Sequence, residues 1–262
     1  MHRSDMEALF AQTLAGEDDD DDAWAAVEAL RRNGSRAIFE YAAVWCRSAS
    51  ARERATGAAV LSQLRRKSDP GLQPKWMFRA ESFPVIMRML EHERDAGVLD
   101  SAISALGQLG NPDAIPRIIS FQDHPVRKVR LAVASALGRF PDDPRSVQSL
   151  IQLTADEAAD VREWAVFGLG VLGDVDSAAI RKALLRCVDD SNEDVREEAA
   201  VGLAKRGDLK LLPKLQRMLV GSPPPSRVAE AAASLLGMGE IPVEWGADEY
   251  KAALQRKFQP GH

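Results

Sequence analysis

Aromatic residues make up only 6% of this 262-residue chain, and it has just two cysteines and four histidines. A core poor in rings but rich in Ala and Leu suits close-packed helices better than strands. Cys46 and Cys187 are far apart and form no CxxC pair. That excludes a disulfide framework and points to a reducing, cytoplasmic setting. His2 and His262 sit at the ends, His124 precedes Pro125 in an expected turn, and His92-Glu93 is a lone pair. No metal-ligand spacing results, and no metal or other cofactor is expected. No apolar run approaches the roughly 20 residues that span a bilayer. The opening MHRSDMEALF lacks the apolar stretch of a signal peptide. A net charge of −5 is too mild to favour nucleic acid or membrane as a partner.

Catalytic motifs are equally scarce. No GxSxG elbow, Walker loop or HExxH occurs. Gly168, Gly170 and Gly173 spell GxGxxG, but that pattern signals a dinucleotide only after a strand and at a helix start. Here it falls at the end of an expected helix, where close packing and helix termination account for it. The chain is therefore read as a non-enzyme.

What is present is a repeat. DVREWAVFGLGVLGD, from Asp160, returns as DVREEAAVGLAKRGD, ending at Asp208. Leu30, Leu61, Leu106, Leu137, Leu169, Leu203 and Leu235 mark seven copies, each eight residues after an anchor at Asp22, Glu53, Val98, Val129, Val161, Val195 or Arg227. Successive anchors are 31, 45, 31, 32, 34 and 32 residues apart. A period near 32 fits two short helices and two turns, and stacked copies bury what one copy leaves exposed.

Taken in order, a short amphipathic helix is expected up to Leu14, with Met6, Leu9, Phe10 and Leu14 at helical spacing. The acidic run Glu17 to Asp22 reads as a solvated turn whose last Asp caps the next helix. The 45-residue gap marks an insertion near 65–77, where Pro70, Gly71 and Pro74 break any helix. Trp76 to Glu93 is expected to be helical with a break near Pro84. In the clearest copy a first helix spans Ser177 to Val188, Asp194 caps a second over Val195 to Lys205, and Gly207 closes it. The tail from Ile241 to Phe258 reads as a capping helix. This gives an N-terminal cap with divergent repeats over 1–97, regular repeats over 98–240 and the cap over 241–262, as one continuous solenoid.

Asp160-Val161-Arg162 with Ala165, Leu169 and Gly173, and Asp194-Val195-Arg196 with Ala199, Leu203 and Gly207, resemble HEAT-like repeats of the short, bilin-lyase type. Val129-Arg130 with Leu137 is a third match, although Lys128 and Pro141 replace the expected Asp and Gly. The resemblance implies an all-α, right-handed solenoid in which Asp160, Arg162, Asp194, Arg196 and Arg130 knit neighbouring repeats together. Arg54 is a weaker match. Within that family, the run DVREWAVFGLG and the following VREEAAVGLAKRGD look like bacterial HEAT-repeat proteins encoded beside Rhs-type polymorphic toxins and proposed as their immunity proteins. HEAT-fold enzymes that act on DNA or on a tetrapyrrole share the repeat and form the alternative.

On the second helices, anchor positions 0, +4, +7 and +8 form the apolar stripe, and +2, +3 and +6 lie on or flank the outer, concave face. Those positions hold Asp100, Glu163, Glu197, Glu198 and Glu230, small residues, Val201, and one aromatic pair, Trp164 and Phe167. The expected groove is acidic with an aromatic anchor. It suits a protein partner, such as a toxin domain with a basic surface, and would repel phosphates. The basic residues Arg31, Arg32, Arg36, Arg47, Arg52, Arg54, Arg65, Arg66 and Lys67 read as solvated surface, since no aromatic interleaves the RRK run.

Overall fold

Short polar turns decide where each helix starts, and small side chains decide how closely the helices stack. The computed structural model describes residues 2–15, 21–66, 75–242 and 244–258. The chain is an all-α solenoid whose helices come in pairs. They are α1 (Arg3–Gln12) and α2 (Asp21–Arg32), α3 (Arg36–Trp45) and α4 (Ala51–Ser62), α5 (Arg79–Leu90) and α6 (Ala96–Leu109), and α7 (Ile115–Ile119) and α8 (Arg127–Leu137). Next come α9 (Pro144–Leu153) and α10 (Ala159–Phe167), α11 (Ala178–Cys187) and α12 (Glu193–Lys205), α13 (Leu212–Met218) and α14 (Ser226–Leu236), then α15 (Ala247–Phe258). A two-residue ribbon, β1 (Arg65–Arg66) with β2 (Lys75–Trp76), interrupts the helices.

The chain forms two compact units, residues 1–136 and 137–262. In the first, α2, α4 and α6 pack side by side, with α3 and α5 on the same stack. Its core is Phe10, Leu30, Ile38, Leu61, Ile86, Leu99 and Ile103. In the second, α10, α12 and α14 pack in series, α9 and α11 lie against them, and α15 covers α14 through Tyr250 and Leu254.

Side-chain caps set the helix starts. Ser35, Ser50, Asp95, Asp143 and Ser177 each accept a backbone N–H of the following first turn. Asn192, not the expected Asp194, caps α12. Its Oδ1 accepts from Val195 N at 3.0 Å, so the helix begins at Glu193 and Asp194 lies inside its first turn, where negative charge suits the dipole. Gly207 closes α12 with φ +62°, a left-handed conformation that suits glycine, while Asp208 N donates back to Leu203 O.

Five expectations change. Helix α10 stops at Phe167 instead of running regularly to Gly173. It loosens into a π turn over Gly168–Leu172, with Gly173 N bonded to Gly168 O at 3.1 Å and Gly173 extended at φ −81°. Pro84 lies inside α5 without breaking it, because Ser82, Ile86 and Leu90 share one buried face that holds the helix down. Trp76 belongs to β2 rather than to that helix. The C-terminal helix starts at Ala247, after Pro242 and Gly246. The last copy is also shifted by one residue. Val228 is buried in the anchor place, and Arg227 stays half-buried outside the core. The tip of the expected insertion, with Pro70, Gly71 and Pro74, and the acidic residues Glu17 to Asp20 lie outside the described residues.

Candidate protein-binding face

Four second helices, α4, α8, α10 and α12, start from the same brace. Arg162, one position after the anchor, donates Nη1 to Asp156 O (2.9 Å) and Glu157 O (3.0 Å), the turn that precedes its own helix. Its Nε and Nη2 fork onto Asp190 of the next copy at 2.8 and 2.7 Å. Arg196 repeats the first half, to Asp190 O (2.9 Å) and Ser191 O (3.0 Å), and Arg130 does so with His124 O and Pro125 O. Arg54 makes the whole set, with Ser48 O, Ala49 O and a fork to Glu93. In two of these braces, those of Arg162 and Arg54, the Arg also links repeats through a turn carboxylate, Asp190 or Glu93. Asp194 is exposed, and Asp160 accepts the N–H of Val161 at 3.0 Å. The guanidinium of Arg162 holds the Asp190 carboxyl below the usual range.

With Val161, Ala165, Val195 and Ala199 buried beneath, the opposite sides of α10, α12 and α14 present the remaining expected residues. Trp164 is 41% exposed, and its ring meets Phe167 edge-on at 5.8 Å and 87°. Glu163 and Glu197 are half-buried and Glu230 is exposed. Two residues assigned to the open face are not open. Val201 is buried, and Glu198 is only 2% exposed. Helix α14, whose Ala229, Ala231, Ala232 and Ala233 are all buried, packs on α12, and side chains this small allow a close approach.

Glu198 is the electrostatic centre. Its Oε1 pairs with Arg227, and its Oε2 is buried without a hydrogen-bond partner. Burial pushes its carboxyl up to about 7, opposed by Arg227 and reinforced by Glu163 and Glu230. Burial also raises Glu163, with Asp194 adding and Arg227 opposing, and raises Glu197, with Glu193 and Asp194 adding. Arg227 thus faces three carboxylates, Glu163, Glu197 and Glu198. Sequence reasoning placed Arg227 in the core and missed this role. The neighbouring Val228 was the signal, since an apolar residue beside a charged one claims the buried place.

Asp100 lies in the first unit. It lines a separate depression of about 790 Å³ between α2, α4 and α6, walled by Ala55, Thr56, Ala59, Ser101 and Trp24. Trp24 is 58% exposed, with Arg31 at 5.0 Å from its ring. It occupies position +2 of the first copy, an aromatic on the outer face overlooked among the divergent repeats. Burial raises the Asp100 carboxyl and Lys128 opposes it. Among the described residues, no group of three His, Cys, Asp or Glu could hold a metal ion, and no helix is long and apolar enough to cross a membrane.

Comparison with known proteins fits this geometry. The model described as HEAT repeats matches residues 83–170 and 152–237, together more than half of the chain. Phycocyanobilin lyase subunit alpha of Nostoc sp. (strain PCC 7120) is 33% identical over 79 residues, 30% of this chain and 29% of that protein. The same subunit of Pseudanabaena tenuis (strain PCC 7409) is 33% identical over 82 residues, 30% of each. The chain thus spans about three tenths of the length of these curated relatives. An X-ray structure of YibA from Escherichia coli shares the fold with a TM-score of 0.72 at 24% identity, covering 97% of this chain and 92% of that one. The helical pairs, the arginine brace that recurs on the second helices and the repeat match over more than half its length place this chain in the HEAT-repeat family.

Proposed function

We propose that this HEAT-repeat scaffold binds a protein partner with a basic surface through the outer face of α10, α12 and α14. The observation that carries the reading is Trp164. It is a large ring left open beside Phe167, next to Glu163 and on a face that also carries Glu197 and Glu230. An aromatic anchor with a charged rim is the common form of a protein interface, and carboxylates at the rim speed encounter with a basic partner.

The finer reading is an immunity protein that neutralises a cognate toxin domain by occluding its active or substrate surface. The resemblance to HEAT-repeat proteins encoded beside Rhs-type toxins supports it. Co-expression with a toxin domain encoded beside this chain is the test. Rescue of growth by the wild type and loss of rescue with Trp164→Ala fit the reading, whereas equal rescue by both removes Trp164 from the interface.

The local 33% identity to phycocyanobilin lyase subunit alpha favours a second reading, action on a linear tetrapyrrole. Incubation with phycocyanobilin separates the two. A bound chromophore absorbance that survives gel filtration supports the lyase reading, and an unchanged protein spectrum removes it.

A further inference from the structure

The first unit carries a surface that the repeat does not explain. The turn between α2 and α3 is tied to β1 by Gly34 N donating to Arg65 O at 2.9 Å, and a Cβ on Gly34 would stand 2.8 Å from that oxygen. The antiparallel ribbon sets Arg65 opposite Trp76 and Arg66 opposite Lys75. Trp76 is 45% exposed, with the guanidinium carbons of Arg79 and Arg65 at 5.6 and 6.0 Å from its ring centroid. Beside it, Arg36 lies over Phe78 at 4.4 Å and over Phe39 at 5.2 Å. Arg32 and Arg66 border an open depression of about 530 Å³.

The charge on this face is one-sided. Glu28 pairs with Arg65 and, at 3.0 Å, with Arg32; Glu81 pairs with Arg36 at 3.3 Å. Among the described residues, six cations (Arg32, Arg36, Arg65, Arg66, Lys75 and Arg79) thus stand against those two carboxylates, an excess of four on a chain whose net charge is −5.

We infer that this ribbon face binds single-stranded nucleic acid. Cations that track a phosphate backbone, together with an exposed ring on which a base stacks, are what such binding requires, and guanidinium groups beside the ring strengthen the stack. In sequence the basic run has no interleaved aromatic. The ribbon supplies one by bringing Trp76 across from Arg65. A duplex would use the charges and leave the ring idle. A lipid surface would need an apolar face, whereas these rings are flanked by guanidinium groups.

The test is fluorescence anisotropy with labelled oligo-uridine and oligo-thymidine of about 20 nucleotides, starting near 50 mM salt. Wild type is expected to bind both and to be displaced poorly by a duplex of equal length. Trp76→Ala should weaken binding about tenfold with little change in salt dependence. Arg66→Glu combined with Lys75→Glu should weaken it and lower the slope of log affinity against log salt by about 1.4. All three residues are exposed and outside the repeat core, so the variants keep their helical content. Trp164→Ala should bind as wild type does, which separates this surface from the protein-binding face. Absence of binding at low salt, equal affinity for duplex with no effect of Trp76→Ala, or preferential retention on phosphatidylserine vesicles would each overturn the inference.

Discussion

Gly170 and Gly202 meet backbone to backbone where the π turn after α10 lies against α12. A Cβ on Gly202 would stand 2.6 Å from the Cα of Gly170, and one on Gly170 would stand 3.1 Å from the Cα of Gly202. The glycines of the GxGxxG run thus have a structural task. They let two stacked helices approach to a distance that no side chain permits.

Alanine normally stabilises a helix interior over glycine by about 1 kcal/mol. Here the sign should reverse, because the obstacle is backbone rather than a flexible side chain. Gly202→Ala is expected to cost about 1–3 kcal/mol in urea unfolding. A gain in stability would show that the two helices separate freely.

Arg206 closes the same junction. Its side chain is 4% exposed, and it donates to Leu169 O (2.7 Å), Gly170 O (3.0 Å), Gly173 O (3.2 Å), Val175 O (2.8 Å) and Gly202 O (2.9 Å). Leu169 O and Gly170 O of the loosened turn depend on it, while Lys205 Nζ serves Val171 O and shares Gly173 O. Arg206→Met keeps the apolar stem and removes every donor, with an expected loss of about 3 kcal/mol or more. Faster amide exchange confined to residues 168–176 would locate the effect; exchange unchanged there would contradict it.

The fork from Arg162 to Asp190 links two repeats between largely buried partners. A double-mutant cycle with Arg162→Met and Asp190→Asn should give a coupling of about 1–3 kcal/mol. Because Arg162 holds the Asp190 carboxyl down, this contribution is present at neutral pH and is lost as pH falls through the lowered value in the folded state. A coupling near zero at pH 7 would reduce the fork to a surface contact.

Glu198 acts in the opposite direction. Its carboxyl titrates near 7 in the folded chain, against about 4.3 when unfolded. The folded state therefore holds a proton that the unfolded state releases. Its stabilising effect is complete below about pH 4 and fades as pH rises through 7. Glu198→Gln should be more stable than wild type at pH 8, by about 2 kcal/mol, and the difference should vanish near pH 4. A difference independent of pH would show that Arg227 neutralises Glu198 fully.

Much of this was legible in the sequence. Val161, Ala165 and Leu169, and Val195, Ala199 and Leu203, are buried as their spacing requires, since one apolar stripe per helix must face the stack. Trp164 stands open at the flank of that stripe. Less legible were features set by contacts between copies. The spacing that puts Glu198 at the edge of an exposed face says nothing of α14, which packs on α12 and brings Arg227 to that carboxylate. Arg227 falls in the anchor place only if the step from Val195 is 32 residues; the buried Val228 lies one residue further on. The carbonyls that engage Arg206 exist only once α10 opens into a π turn, and no periodicity announces that. Trp76 and Arg65 become neighbours through pairing across an insertion, which a local reading treats as a helix break.

The most direct test of the protein-binding face is affinity capture from a lysate of the cell that encodes this chain, with wild type, Trp164→Ala and Glu197→Lys as parallel baits and mass spectrometry as the readout. The account predicts one stoichiometric protein with a basic surface, held by wild type and lost with both variants, and a loss of about 2 kcal/mol or more for Trp164→Ala when the purified pair is titrated. Equal retention of the same protein by all three baits would contradict it.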